Sequence, residues 1–145
     1  MSMTLSGSCH CGAVHIAFEP SRAPAELPLR ACQCGFCRRH GARTTSDPES
    51  RLLIAAAPGA IAAYRFGRRV SEVLICRTCG CYIASAIERA AGKLATLNAA
   101  GVDLEGFDGR AAEPANYEDE TDEARLARRL ARWTPTTFAP AVPNA

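Results

Sequence analysis

Eight cysteines fall in three tight clusters, Cys9-His-Cys11, Cys32-Gln-Cys34-Gly-Phe-Cys37 and Cys76-Arg-Thr-Cys79-Gly-Cys81, and none lies outside them. Thiolates at one- and two-residue spacings suit a small tetrahedral ion that accepts soft ligands, and zinc is the default. Cys9 with Cys11 and Cys76 with Cys79 read as two pairs closing on one ion, the glycine after Cys79 letting the backbone turn tightly. A closed four-thiolate site leaves no position for substrate, so its role is structural. It would pin the first strand to the strand near residue 75.

Cys32, Cys34 and Cys37 form a separate triad. Three ligands leave the fourth coordination position open, which is what catalytic zinc requires. The triad reads either as such a site, taking a substrate thiol or carbonyl, or as a second structural site closed by Cys81 or His40. Cys81, two residues after Cys79, is a poor fifth ligand of the same ion and reads as a small buried apolar group. His10 is a spacer between ligands and His15 lies on a strand, so both read as structural. Arg38, Arg39 and Arg43 flank the triad. They can lower the thiolate pKa and dock the carboxylates of an anionic thiol, or they are plain surface after a turn.

A chain of 145 residues favours one domain. Such a length can bury roughly two thirds of the unfolded surface, so metal need not be the sole support of the fold. The net charge of +2 is too small to imply nucleic acid by itself. No basic region or apolar run precedes Cys9, and no stretch approaches the roughly 20 apolar residues of a membrane span. A cytoplasmic protein is expected, where thiols stay reduced and metal ligation accounts for the cysteines better than disulfides do.

The elements that must position these residues read as mostly β. Residues 12–19 alternate, with Val14, Ile16 and Phe18 on one face. A proline-rich loop over 20–28 leads to an extended piece at 29–32, and 41–50 is polar and ends in an Asp47-Pro48 turn. Further strands are expected at 51–56, 60–66, 70–76, 82–87 and 93–98. Thr121 caps a helix over 122–132, with acids in the first turn and arginines later. Leu126, Leu130 and Trp133 form one stripe expected to pack on the sheet, leaving Arg125, Arg128, Arg129 and Arg132 as a solvated face. The expected division is a zinc-binding β domain over 1–110, a helical extension over 111–134 packed on it, and a poorly packed tail over 135–145.

Three pieces taken together resemble the glutathione-dependent formaldehyde-activating enzyme family, which also includes centromere-protein-V-like proteins. They are Gly7-Ser-Cys-His-Cys-Gly-Ala-Val14, Cys32-Gln-Cys-Gly-Phe-Cys-Arg-Arg39 with Gly41, and Cys76-Arg-Thr-Cys-Gly80, in matching order and spacing. The resemblance implies an Mss4-like zinc-binding fold of small antiparallel sheets, here with one C-terminal helix. It implies a structural zinc on Cys9, Cys11, Cys76 and Cys79 and a catalytic zinc on Cys32, Cys34 and Cys37. It also implies a carbon–sulfur lyase that joins formaldehyde to glutathione, giving S-hydroxymethylglutathione. Two departures, Cys81 and the helix with its Trp133-Thr-Pro135 ending, bear on the substrate more than on the fold. Two rivals differ in class: a zinc module that carries a thiol or aldehyde without turnover, and a structural or nucleic-acid-associated module. The near-neutral charge and the lack of a basic tail count against the last.

Overall fold

The computed structural model describes residues 3–140. Its strands are β1 (Leu5–Ser8), β2 (Val14–Glu19), β3 (Arg30–Cys32), β4 (Thr44–Thr45), β5 (Arg51–Ala56), β6 (Ile61–Tyr64), β7 (Glu72–Cys76), β8 (Tyr82–Arg89), β9 (Gly92–Asn98), β10 (Glu113–Ala115) and β11 (Thr134–Ala139). The helices are α1 (Gly35–His40) and α2 (Asp122–Arg132). The fold is mostly β with one C-terminal helix, as the pattern of short apolar segments and regular turns leads one to expect. Among the described residues no helix is long and apolar enough to cross a membrane.

All strands join one sheet that forks at β9. Along one edge β9 pairs with β8, which continues to β7 and β6. Its other edge is shared: Lys93 to Ala95 pair with β11, and Leu97 and Asn98 pair with β4. From β11 the sheet runs through β5 and β2 to β1, and from β4 through β3 to β10. Pairing is antiparallel except for β10 with β3 and β11 with β5. The period-2 alternation of β2 sends Val14, Ile16 and Phe18 into the core, where they meet Leu52 and Ile54 of β5 and Ile83 and Leu97 of the other arm.

Residues 135–139 are not a loose tail: β11 lies between β5 and β9. Its proline and threonines gave no apolar alternation, yet Thr134 and Thr136 are buried because both strand edges are paired. Residues 141–145 of the expected tail lie outside the described residues. The stripe on α2 does not pack as a unit either. Thr121 Oγ1 does accept from the Ala124 N–H at 3.1 Å, as a cap should. But Leu126 and Leu130 stay about half exposed (47% and 46%), and only Trp133 is buried, against Ile87 and Leu94.

The polar segment after α1 also goes inside. Thr44, Thr45, Ser46, Asp47 and Ser50 are all buried. The Asp47 N–H donates to Thr134 Oγ1 at 2.8 Å, which fastens β11 at its start. The Asp47 carboxylate accepts from the Ser21 hydroxyl and from the Glu49 N–H, while Ser21 N–H donates to Ser50 Oγ at 3.0 Å. Burial alone would raise the Asp47 pKa, but hydrogen bonds from Ser21, Ser50 and Glu49 outweigh it and hold the carboxyl below its usual value. A depressed carboxyl gives stability above its unfolded pKa and loses it as pH falls through the folded one. Asp47→Asn should therefore cost about 1–3 kcal/mol at neutral pH. In urea titrations repeated between pH 7 and pH 3, the gap between wild type and variant should narrow as pH falls; a constant gap would contradict the assignment.

Candidate functional site

Two hairpin turns bring four of the cysteines together. Cys9 and Cys11 sit in the turn between β1 and β2, and Cys76 and Cys79 in the turn between β7 and β8. Each turn closes through a glycine with positive φ, Gly12 at 84° and Gly80 at 78°, whose N–H groups donate to the carbonyls of Cys9 and Cys76. The four Sγ atoms lie within 4.8 Å of one another. The Cys9–Cys11 and Cys11–Cys76 sulfur separations are 3.7 and 3.6 Å. A tetrahedral ion about 2.3 Å from each sulfur sets the sulfurs roughly 3.8 Å apart, so the donor set fits zinc in kind and size. Cys9 and Cys76 are buried and Cys11 is exposed.

The second group, Cys32, Cys34 and Cys37, also holds its three Sγ atoms within 4.8 Å. Cys32 ends β3, Cys34 caps α1, and Cys37 lies in the first turn of that helix. The Cys37 N–H donates to Cys34 Sγ at 3.3 Å, so the cap and the cysteine triad are one construction. Among the described residues, neither His40 nor Cys81 joins this group. His40 instead stacks on Phe36, ring centroids 4.4 Å apart, and Cys81 packs against the main core. The three thiols titrate as a unit: hydrogen bonds with Cys32 and Cys37 hold Cys34 well below the usual thiol range, and those with Cys32 and Cys34 push Cys37 up.

The triad lines a cavity of about 500 Å³. The cavity lies between α1, the β6–β7 loop and α2, and its wall carries seven arginines against one carboxylate, Glu118. Of the three arginines expected beside the triad, Arg38 lines it. Arg39 and Arg43 do not: both are exposed, and the Arg39 guanidinium turns back to the Gly35 carbonyl at 2.9 Å. The expected solvated face of α2 is reversed for Arg125, Arg128 and Arg129, which line the cavity, while Arg132 is exposed as expected. The three follow the acidic first turn at helical spacing, on a helix face turned away from the exposed Leu126 and Leu130. Charge has to be matched across the fold to see them, and sequence spacing alone does not do that.

Tyr82 and Ser85 of β8 are further lining residues that the motifs do not announce. Their hydroxyls are 2.6 Å apart. Burial, with the neighbouring Cys37 thiol, pushes the Tyr82 phenol up, so it stays protonated and can donate. Phe36 joins this wall to the helix, its ring edge-on to Tyr82 at 5.1 Å and stacked on Phe66 at 5.5 Å.

Asn98 ties the parts together. Its Nδ2 donates to the Tyr82 carbonyl at 2.9 Å, and its Oδ1 accepts from the Arg43 N–H at 3.0 Å, just after α1. Gly101 leaves the space for this: a Cβ there would come within 2.6 Å of Asn98 Nδ2 and closer still to the Tyr82 carbonyl oxygen. Gly101→Ala should lower stability by about 1–3 kcal/mol in chemical denaturation, and an unchanged midpoint would contradict this packing.

A family model described as glutathione-dependent formaldehyde-activating enzyme matches residues 4–117. Among solved structures, the chain is similar to a crystal structure of a Rhodobacter sphaeroides protein, with 31% sequence identity over 76% of this chain and 99% of that one and a TM-score of 0.57. The family match takes in all eight cysteines and stops before α2.

Proposed function

The chain belongs to the glutathione-dependent formaldehyde-activating enzyme family, and we propose that it is a zinc-dependent carbon–sulfur lyase acting at Cys32, Cys34 and Cys37. One observation carries the reading: three convergent thiols without a fourth protein ligand among the described residues, set in the wall of a cavity of substrate size. Cys9, Cys11, Cys76 and Cys79 would hold a second, structural zinc between the two hairpins. At the triad, bound zinc supplies an open Lewis-acid position suited to a thiolate or an aldehyde oxygen.

The chain's own residues do the rest. The cationic wall, including Arg38, favours the thiolate form of an acidic thiol such as glutathione. Phe36 and Tyr82 cover one side of the triad and limit water. In the forward direction the thiolate sulfur attacks the formaldehyde carbon and the carbon–sulfur bond forms. The carbonyl electron pair passes to oxygen, which takes up the proton that the thiol released, giving the S-hydroxymethyl hemithioacetal. The Tyr82 and Ser85 hydroxyls are the neutral donors available to that oxygen. Reversal separates the same bond.

Thiols and formaldehyde also combine without a catalyst, so the test is the rate above the blank, proportional to protein concentration. Cys34→Ser should lower that excess rate about 100-fold or more, in line with removal of a group that acts as part of a unit. Its thermal unfolding should remain cooperative, because the four-cysteine site is untouched. A Cys34→Ser protein with full excess rate would sink the reading.

A further inference from the structure

Helix α2 runs against ordinary burial. It leaves Leu126 and Leu130 half exposed and turns Arg125, Arg128 and Arg129 to the cavity. Most of the cavity arginines are accounted for. Arg128 forms a two-pronged pair with Glu120 at 2.8 and 3.0 Å, over the Tyr117 ring. Arg125 donates to the Tyr117 carbonyl at 3.0 Å, and Arg30 to Ser46 Oγ at 3.1 Å. Arg38 donates to the Gln33 carbonyl, and Arg68 pairs with Asp122 at 2.6 Å.

Arg129 differs. Its Nε is buried without a hydrogen-bond partner, as is that of Arg125, but Arg125 also pairs with Glu120 at 3.8 Å, whereas half-buried Arg129 forms no ion pair among the described residues; Arg69, which also forms none, is exposed. Burial, with the nearby Arg128 and Arg125, pushes its pKa down to about 10, so it is still charged at neutral pH. A charge taken out of water and set beside like charges is unfavourable until an anion meets it. The guanidinium fork matches a carboxylate, with two parallel N–H groups facing two oxygens.

We propose that Arg129 docks a carboxylate of the thiol substrate, so that α2 decides which thiols reach the triad. This rests on the reading of the triad as the reaction centre. It adds that specificity resides in an element beyond residues 4–117, the span shared with the family. Thiols whose acid groups are masked would be poor substrates, and neutral thiols such as 2-mercaptoethanol poorer still.

Trp133, the chain's one tryptophan, lines the same cavity, and the Arg129 guanidinium lies 5.0 Å from its ring. Its fluorescence therefore reports binding without turnover. The probe is S-methylglutathione, which cannot form a thiolate, titrated into the full zinc-supplemented chain beside its dimethyl ester. The expected result is a saturable change with the acid and about tenfold or weaker binding of the ester, the loss of one charge-assisted pair. Arg129→Gln should bind the acid about as weakly as wild type binds the ester, and Arg129→Lys should recover part of the difference. An Arg129→Gln protein that binds the acid as tightly as wild type overturns the proposal. So does wild type that treats acid and ester alike or binds neither.

Turnover separates this from the lyase reading. Wild type that binds the acid selectively yet shows no excess rate contradicts the lyase and leaves the docking standing. An active enzyme in which Arg129→Gln leaves KM for glutathione unchanged overturns the docking alone.

Discussion

Four thiols from two hairpins must meet at one point, and the rest of the architecture follows from that meeting. The β1–β2 turn lies at one end of the branched sheet and the β7–β8 turn on its other arm. The two arms are otherwise joined through the core, through β9, and through hydrogen bonds of β1 to Val102 and Glu105 in the segment after β9. Cys11 and Cys76, 3.6 Å apart, are separated by more than sixty residues of chain, so the contact closes a long loop. Loop closure grows slowly in entropic cost with length, so a metal held at this point would constrain much of the unfolded chain at once. It also fixes where β8 begins, and β8 supplies Tyr82 and Ser85 to the cavity.

The second cysteine group inherits its geometry from this frame. The strand β3 delivers Cys32, the cap of α1 presents Cys34, and the first helical turn buries Cys37. The amide that caps the helix on Cys34 also helps to keep that thiol ionised, so a short helix of modest intrinsic stability is coupled to the ligand set. Asn98 and the Phe36 ring cluster then hold α1 against β8 and β9. Arginines of α2 complete the cavity from the other side. A cysteine triad with an electropositive wall arises from elements that lie nearly one hundred residues apart.

The legible and illegible parts of the sequence divide along physical lines. Strands such as β2 and β5 could be read because burial on one face imposes a period of two on side chains. The cysteine groups could be read because thiols two or three positions apart converge in the structure as their spacing suggests. The strand β11 could not: paired on both edges, its backbone is fixed by neighbours, and Thr134 and Thr136 are buried through hydrogen bonds to Asp47 and to each other. The buried Thr44 to Asp47 segment escaped because Ser46 and Asp47 meet partners far along the chain, Arg30, Ser21 and Thr134, while Thr45 Oγ1 is buried without one. α2 misled in the opposite sense. Its leucine stripe was real as a pattern, but the cavity and not the core chose the inward face. Arg38 was found by nearness to the triad in sequence, whereas Arg125, Arg128 and Arg129 needed the fold.

On the proposed reading, seven of the eight cysteines serve two different ends, one closed site that would hold the fold and one open site that would face substrate, while Cys81 packs against the core. The most direct test is native mass spectrometry of zinc per chain, run on wild type and on a Cys32→Ser, Cys34→Ser double variant purified without chelator. The account predicts two ions on wild type, the second gained on zinc addition if lost in purification, and one on the variant with unchanged circular dichroism. Wild type that takes up only one ion at saturating zinc, or a variant that still binds two, would contradict it.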